Sequence, residues 1–318
     1  MFAHRLWLVI VCLLVGPAAL AGTIAPGLEA RLQDLAPDDW VKVLVVMSEQ
    51  ADVPALDAGL RAAKATRPER HRTMVESLRT VADASQADIL GDLAAKSTGA
   101  GQVRGFVPHW LINAVVVTAT RDAVYELAAR PDVARVEPDL APTLIQPFPA
   151  TKTLPAGTDT AGLGMLPNIQ AIGAPRVWEE YGIDGAGTIV GIMDSGVDGT
   201  HPALADRWRG NFAPAAESWI DASGIGDPDF PVDRDPSAHG THVMGILTGL
   251  APGDTIGVAP GAHWIAANTI AGGLASLDNA VLASLVFMTD PDGDPATSDV
   301  VPDVVQNSWG VFEAMPGY

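Results

Sequence analysis

The apolar residues of this chain form two stretches with different patterns, one from about residue 23 to 140 and one from about residue 169 to 318. In the first stretch, short valine-rich runs are typical of strands, and a charged, alanine-rich run is typical of a helix. Met74, Leu78 and Val81 share one face of that helix. The predicted strands are 41–47, 112–119 and 133–139, and the predicted helices are 69–96 and 121–130. This order of elements predicts a small α+β domain.

Apolar strands alternate with helices in the second stretch, which predicts an α/β domain whose parallel sheet carries helices on both faces. The predicted strands are 188–194, 262–270 and 303–308, and the predicted helices are 241–250 and 277–288. Between the two stretches, residues 141–168 are rich in Pro, Thr and Gly and show no periodicity, as in a linker. We therefore expect domains at 23–140 and 169–318, joined by a linker at 141–168.

The first 21 residues, 1–21, have the features of a secretory signal peptide. A positively charged start precedes an apolar run of about eleven residues, and Ala19 and Ala21 are small residues placed for cleavage after Ala21. The run is shorter than the roughly 20 residues that a membrane-spanning helix needs, and no later segment is long and apolar enough to cross a bilayer. A buried N-terminal helix is the alternative. We expect the protein to be secreted.

The composition argues against nucleic-acid binding and against thiol chemistry. The formal net charge is −19, and such a surface repels phosphate backbones, so nucleic acid is not an expected partner. The single cysteine, Cys12, lies within the predicted signal peptide. The mature chain would therefore have neither a disulfide nor a thiol nucleophile.

Two candidate catalytic residues lie in the second stretch. Asp194 ends the predicted strand 188–194, and sites in open parallel sheets form at the carboxyl ends of the strands. His239 lies at the start of a later helix. An aspartate that orients an imidazole and a histidine that accepts a proton are the parts of an acid–base pair. The alternatives are a strand-terminal cap for Asp194 and a structural role for His239.

Two further histidines stand near this pair in the sequence. His242, one helical turn after His239 and beside apolar neighbours, is interpreted as packed and structural, and His201 as a turn residue without a direct chemical role. Together with Asp194, the three histidines have ligand types that zinc accepts. However, an HxxH pair is a weak pattern and the glutamate of the HExxH motif is absent, so we expect no metal at this site.

Several segments resemble motifs of the subtilases, the subtilisin-like serine proteases. DSGVDGTHP at Asp194 and HGTHVMG at His239 resemble the motifs that carry the Asp and His of the family's triad. GVAPGAHWIAA and PDVVQNSWG resemble two later strands of the subtilase domain. The residues of HGTHVMG and DVVQNSWG are especially similar to those of the bacillopeptidase F branch. The resemblance implies a subtilisin-like fold and peptide-bond hydrolysis, with Asp194 orienting His239 as general base. It also implies that Ser308, Trp309 and Gly310 pair with a polypeptide substrate, which adds as a strand.

The first domain is similar to a part of the subtilase precursor. NAVVVTATRDAVYELAARPDVARVEPD, within 23–140, resembles the propeptide, an inhibitor-like domain that assists folding and lays its C-terminal end through the active cleft. The resemblance implies that this domain is an intramolecular chaperone and inhibitor of residues 169–318 and that the protein is a zymogen. An unrelated α+β domain is the alternative.

The sequence has no GTS-type motif, which carries the nucleophilic serine in subtilases, and no G-x-S-x-G elbow. Asn307 does not match the family's oxyanion-hole asparagine, and the place of Ser308 in the strand motif argues against its being the nucleophile. We therefore expect 169–318 to be an incomplete, N-terminal part of a catalytic domain, and the chain alone to be inactive. The alternative is a non-enzymatic protein, either a propeptide-type inhibitor or chaperone or a degenerate peptide-binding protein.

Calcium is the one cofactor that the sequence leaves open. Many subtilases bind it through an aspartate just after the His-Pro that follows the triad aspartate, but Ala203 occupies that position here. Asp290, Asp292 and Asp294 alternate in the loop 290–299, yet this loop lacks the glycine and the closing glutamate of an EF-hand. We interpret it as a solvated acidic loop.

Overall fold

The computed structural model describes residues 22–99, 101–139, 143–145, 164–270 and 280–310. The predicted signal peptide, most of the predicted linker and the start of the predicted helix 277–288 lie outside these ranges. No helix in the described part of the chain combines the length and the apolar character that crossing a membrane requires.

An N-terminal α+β unit is built on a five-stranded sheet. Its elements are β1 Thr23–Ile24, α1 Pro26–Gln33, β2 Trp40–Met47, α2 Val53–Ala62, α3 Arg67–Thr98, β3 Val103–His109, β4 Ala114–Thr120, α4 Arg121–Ala128 and β5 Val133–Pro138. The strand order is β1-β5-β2-β4-β3, with β1 parallel to β5 and the other neighbours antiparallel. The sequence pattern did not predict β3, because this edge strand contains Gly and Pro and is largely exposed.

The longest helix, α3, begins at a capping box formed by Thr66 and Glu69. Its buried face consists of Val75, Leu78, Ala82, Gln86, Ile89 and Leu93. Met74 and Val81, which were predicted to share that face, are only half-buried. The prediction is confirmed at Leu78 and wrong at Met74 and Val81, where the adjacent Val75 and Ala82 are buried instead. Both sets of residues have helical spacing, so the apolar pattern alone does not choose between them.

The second unit contains the remaining elements, most of them short. They are β6 Thr143–Leu144, β7 Gly164–Met165, α5 Pro167–Ala171, α6 Ala174–Tyr181, β8 Ile189–Asp194, β9 Trp219–Ile220, α7 His239–Thr248, β10 Leu250–Ala251, β11 Asp254–Thr255, β12 His263–Asn268, α8 Leu282–Thr289, β13 Val304–Gln306 and β14 Trp309–Gly310. The central sheet has the order β13-β8-β12-β9, and all its neighbours are parallel. The α/β prediction with a parallel sheet is confirmed.

Successive residues of β8 point to opposite faces of this sheet and enter two different cores. Ile192 packs with Met244 of α7 and with Trp264, whereas Met193 packs with Phe287 of α8. Helices therefore cover both faces, as predicted. β8 lies inside the sheet: β12 pairs with it as far as Asp194, whereas β13 pairs with it only from Val190 to Ile192.

Candidate active site

Asp194 lies at the carboxyl end of β8. Its side chain is fully buried, and its main-chain carbonyl accepts hydrogen bonds from the N–H groups of Thr269 (2.7 Å) and Ile270 (3.0 Å), which follow the neighbouring strand β12. Gly196, at a φ of 97°, then turns the chain away from the sheet, in a conformation that glycine adopts without strain. The strand end thus holds the carboxylate in a fixed position.

His239 is the first residue of α7 and lies directly against Asp194. Its Nδ1 is 2.7 Å from Asp194 Oδ1, and the residue is 3% exposed. Ala238, just before the helix, has a left-handed φ of 51°. The structure therefore brings the two predicted residues into hydrogen-bond contact. The start of a helix positions His239, and the end of a strand positions Asp194.

A peptide segment from elsewhere in the chain lies on the other side of His239. β6 pairs antiparallel with β14, and the Ile145 N–H donates to the carbonyl oxygen of Ser308 at 2.9 Å. The carbonyl oxygen of Ile145 is 2.9 Å from His239 Nε2. The predicted substrate-binding residues Ser308, Trp309 and Gly310 are therefore already paired with an extended segment of the same chain.

Both ring nitrogens of His239 face oxygen acceptors, which favours the doubly protonated ring because a neutral imidazole donates through one nitrogen only. Burial lowers the pKa of His239, but the hydrogen bonds to Asp194 and Ile145 and the charges of Asp194 and Asp235 outweigh it. The pKa of His239 is therefore raised above its usual 6.5. Burial raises the pKa of Asp194, and the hydrogen bonds from His239 and Ser195 only partly offset this effect.

Trp309 connects the strand that pairs with the peptide segment to the strand that carries Asp194. The indole Nε1 of Trp309 donates to the carbonyl oxygen of Met193 at 2.9 Å. Trp309 also packs against the core that contains Met193. The groove between His239 and Ser308–Gly310, called the cleft below, is thus bounded by two elements that both contact β8.

Residues 185–316 match a protein-family model described as "Subtilase family". These residues belong to the subtilase family. The chain is 35% identical over 268 residues to bacillopeptidase F of Bacillus subtilis (strain 168), an alignment that covers 79% of this chain and 18% of that protein. It is 29% identical to fervidolysin of Fervidobacterium pennivorans over 63% of this chain and 29% of that protein. It is 30% identical to subtilisin E of Bacillus subtilis (strain 168) over 50% of this chain and 34% of that protein.

This chain therefore spans between 18% and 34% of the length of these three subtilases. Two solved structures are also similar to it. The crystal structure of fervidolysin from Fervidobacterium pennivorans aligns with a TM-score of 0.44 at 20% identity, over 91% of this chain and 38% of that one. The epidermin leader peptide processing serine protease of Staphylococcus aureus aligns with a TM-score of 0.48 at 12% identity, over 85% of this chain and 51% of that one.

The other two candidate histidines, His201 and His242, line the same pocket as His239 but take no part in its hydrogen bond to Asp194. His242 is exposed, so the prediction that it is packed is wrong. The reason is that Thr241 and Met244 occupy the buried face of α7, which turns His242 outward. His201 lies in a turn, where its Nδ1 accepts a hydrogen bond from the Ala203 N–H at 3.2 Å. Among the described residues, no group of three or more His, Cys, Asp or Glu side chains could hold a metal ion.

The acidic loop 290–299 is only partly solvated, which corrects the sequence-based interpretation. Asp292 and Asp294 are exposed, but Asp290 is 4% exposed and forms an ion pair with Arg79 of α3. Burial raises the pKa of Asp290, and the positive charge of Arg79 opposes that effect. Asp290 is paired with Arg79, and Ala203 has no side-chain oxygen, so the residues do not favour a calcium ion at either place considered in the sequence.

Three side chains of α3 that no sequence motif indicated contact the subtilase segment. Arg67 forms an ion pair with Asp303, and Arg79 with Asp290. The ring nitrogens of His71 lie 2.9 Å and 3.2 Å from two main-chain carbonyl oxygens of the same segment. Their spacing at 67, 71 and 79 in the sequence places them on one face of a helix, and this is the signal that could have found them.

Proposed function

We propose that this chain is part of the precursor of a secreted subtilisin-like serine endopeptidase. In this proposal, Asp194 orients His239, and His239 is the general base of peptide-bond hydrolysis. The observation that carries the proposal is that His239 Nε2 lies 2.9 Å from the carbonyl oxygen of Ile145, on a strand-paired peptide segment. A base that activates an attacking hydroxyl must lie within hydrogen-bond reach of that hydroxyl and therefore close to the carbonyl group under attack.

In a neutral ring whose Nδ1–H donates to Asp194, Nε2 would be the nitrogen that takes a proton once residues 143–145 have left it, and the carboxylate would stabilise the imidazolium that results. Since the pKa of His239 is raised, the ring must first lose its proton, and hydrolysis would increase as the pH rises through that pKa. The attacking hydroxyl would come from a serine outside this sequence, which has no GTS-type motif. The chain alone would therefore not hydrolyse peptides.

Ser308, Trp309 and Gly310 would bind the substrate through their main chain. The hydrogen bond from the Ile145 N–H to Ser308 supports this role, because it is the kind of bond that an added peptide strand makes. Main-chain pairing contributes affinity that does not depend on the side chains of the substrate. Preference for particular residues would thus depend on side chains around the cleft.

The unit at 23–140 would be an inhibitor-like propeptide, and residues 169–318 the N-terminal part of the catalytic domain. Two observations support this assignment. Ile145, just after this unit, has its carbonyl group against His239. The ion pairs of Arg67 and Arg79 join α3 to the subtilase segment. Residues 1–21 would direct the precursor to secretion and be removed.

Ile145→Pro tests whether residues 143–145 occupy the cleft, because it removes the N–H that donates to Ser308. We expect the segment to leave the cleft and the pKa of His239, followed by NMR of the imidazole nitrogens, to fall because Nε2 loses its acceptor. Ile145→Ala is the matched control: it keeps the main-chain bonds, and the Ile145 side chain is 52% exposed. An unchanged titration of His239 in the proline variant would contradict the proposal.

The second candidate function is a peptide-binding protein without catalysis, which the lack of a GTS-type motif favours. Incubation of the chain with a long fluorogenic peptide, with and without the His239→Ala substitution, tests the premise that both candidate functions share, that this chain carries no nucleophile of its own. We expect no hydrolysis from either form. Hydrolysis that His239→Ala abolishes would show that the chain carries its own nucleophile, and the proposal of a missing serine would be wrong.

A further inference from the structure

The carboxylate of Asp233 holds together three segments around the candidate active site. Its Oδ1 accepts hydrogen bonds from Ser195 Oγ at 2.9 Å and from the Asp235 N–H at 3.1 Å. Its Oδ2 accepts from the Thr241 N–H at 2.8 Å and from Thr241 Oγ1 at 2.6 Å. Four donors use the full capacity of an ionised carboxylate.

The partners of Asp233 are the chain neighbours of the two candidate catalytic residues. Ser195 follows Asp194, and its N–H donates to Asp194 Oδ1 at 2.7 Å. Thr241 is in the first turn of α7, two residues after His239. Ser195 Oγ also accepts the N–H of Gly240 at 3.0 Å. Asp233 and Ser195 therefore tie the end of β8 to the start of α7 by side-chain hydrogen bonds.

The backbones of these segments touch without any side chain between them. A Cβ added at Gly240 would lie 2.0 Å from the carbonyl oxygen of Gly196, and one added at Gly196 would lie 2.0 Å from that of Val232. With contacts this close, a small movement of the loop that carries Asp233 displaces the start of α7, and with it the imidazole of His239.

We propose that Asp233 is a positioning residue that fixes His239 against Asp194 and directs the hydroxyl proton of Ser195 away from Asp194. A serine hydroxyl has one proton, and at Ser195 it is donated to Asp233. Asp194 Oδ2 is buried and has no hydrogen-bond partner among the described residues. A Ser195 hydroxyl released from Asp233 could donate to this carboxylate instead, and a carboxylate that receives another donor stabilises the imidazolium less.

Both effects act in one direction. A displaced α7 weakens the 2.7 Å contact between His239 and Asp194, and a hydroxyl donated to Asp194 reduces the attraction of its charge for the ring. The charged groups that face His239 are Asp194 and Asp235, and neither is removed by a substitution at Asp233. Loss of Asp233 should therefore lower the pKa of His239.

The test is Asp233→Ala in the full chain, with the titration of His239 and the low-field proton resonance of its Nδ1–H followed by NMR. We expect a lower titration midpoint and loss of the low-field resonance. A matched control is Asp221→Ala, because Asp221 is another carboxylate with several hydrogen-bond donors, three (Asn268, Ser223 and Gly226) against the four of Asp233. This control should reduce stability without changing the titration of His239.

A folded Asp233→Ala variant with the wild-type midpoint and resonance would overturn the proposal. If that variant does not fold, Asp233→Asn decides by the same two measurements, since it keeps the shape of the side chain and one acceptor oxygen. A role of Asp233 in catalysis rests on the proposed role of His239 as general base. The two can fail separately: a response to Ile145→Pro without a response at Asp233 would refute only the positioning role.

Discussion

Replacement of Gly240 by alanine should disrupt the candidate active site. Replacement of Gly245, in the same helix, by alanine should not. A Cβ at Gly240 would meet the carbonyl oxygen of Gly196 at 2.0 Å, whereas ordinary van der Waals contact begins at 3.4 Å. The start of α7 must then move away from the end of β8 by more than an ångström. The contact between His239 and Asp194, 2.7 Å in the native protein, would leave the range of a hydrogen bond.

The two substitutions should have opposite effects on the free energy of unfolding. Overpacking at Gly240 costs about 1–3 kcal/mol, and the loss of a buried charge-assisted hydrogen bond adds to it. Nothing lies within 4 Å of a Cβ at Gly245, so that alanine gains only its helix propensity, up to about 1 kcal/mol. Chemical denaturation measures both values, and NMR of His239 reports the local contact. If Gly240→Ala proved as stable as Gly245→Ala and kept the native titration of His239, the steric argument would be refuted.

Three further outcomes follow from other features of the structure. Ala238→Gly should raise the free energy of unfolding, measured by chemical denaturation, by up to about 1 kcal/mol. Glycine adopts the left-handed φ without strain, and the free energy gained in this way exceeds the cost of the larger conformational entropy of glycine in the unfolded chain. Clear destabilisation would contradict this. Arg79→Ala should cost about 2–3 kcal/mol, because it leaves the buried Asp290 without a counter-charge, and adding Asp290→Asn should recover part of the loss; no recovery would exclude a charge effect. The pKa of His239 is raised in the folded state, so its contribution to stability is complete below its unfolded pKa of about 6.5 and is lost as the pH rises through the folded value. The difference in unfolding free energy between the native protein and His239→Gln should therefore shrink with rising pH, and a constant difference would refute this.

The pairing of Asp194 with His239 could be predicted because each residue sits at a recognisable boundary. Asp194 ends an apolar strand, and His239 lies in a motif that resembles one of the subtilases. The start of α7 was predicted two residues late, since Ala238 takes a left-handed conformation that alanine seldom adopts and that no pattern announces. The separation of the two side chains depends on how β8 and α7 pack and could not be derived from either segment alone.

Contacts between distant segments were the features that the sequence could not provide. Ile145 lies in a stretch without periodicity, and its place beside His239 depends on pairing with β14. Asp290 looks like one acidic residue among several, and its burial depends on Arg79 from the other unit. His242 differs from these cases: its exposure depends on which residues of one helix face the sheet.

The hydrogen bond from Trp309 to Met193 has a consequence for any peptide that enters the cleft. Met193 is the residue before Asp194 in β8, so β14, which would receive a peptide in the proposed function, is attached one residue away from the carboxylate that would orient His239. A peptide held by β14 and the carboxylate of Asp194 would therefore shift together when the sheet flexes. Thermal motion of the rest of the fold would then change the distance between the bound carbonyl and the imidazole less than it would change either position. In the proposed function, the sheet would be a common frame of reference for the peptide and for Asp194, which a site assembled from separate loops would lack.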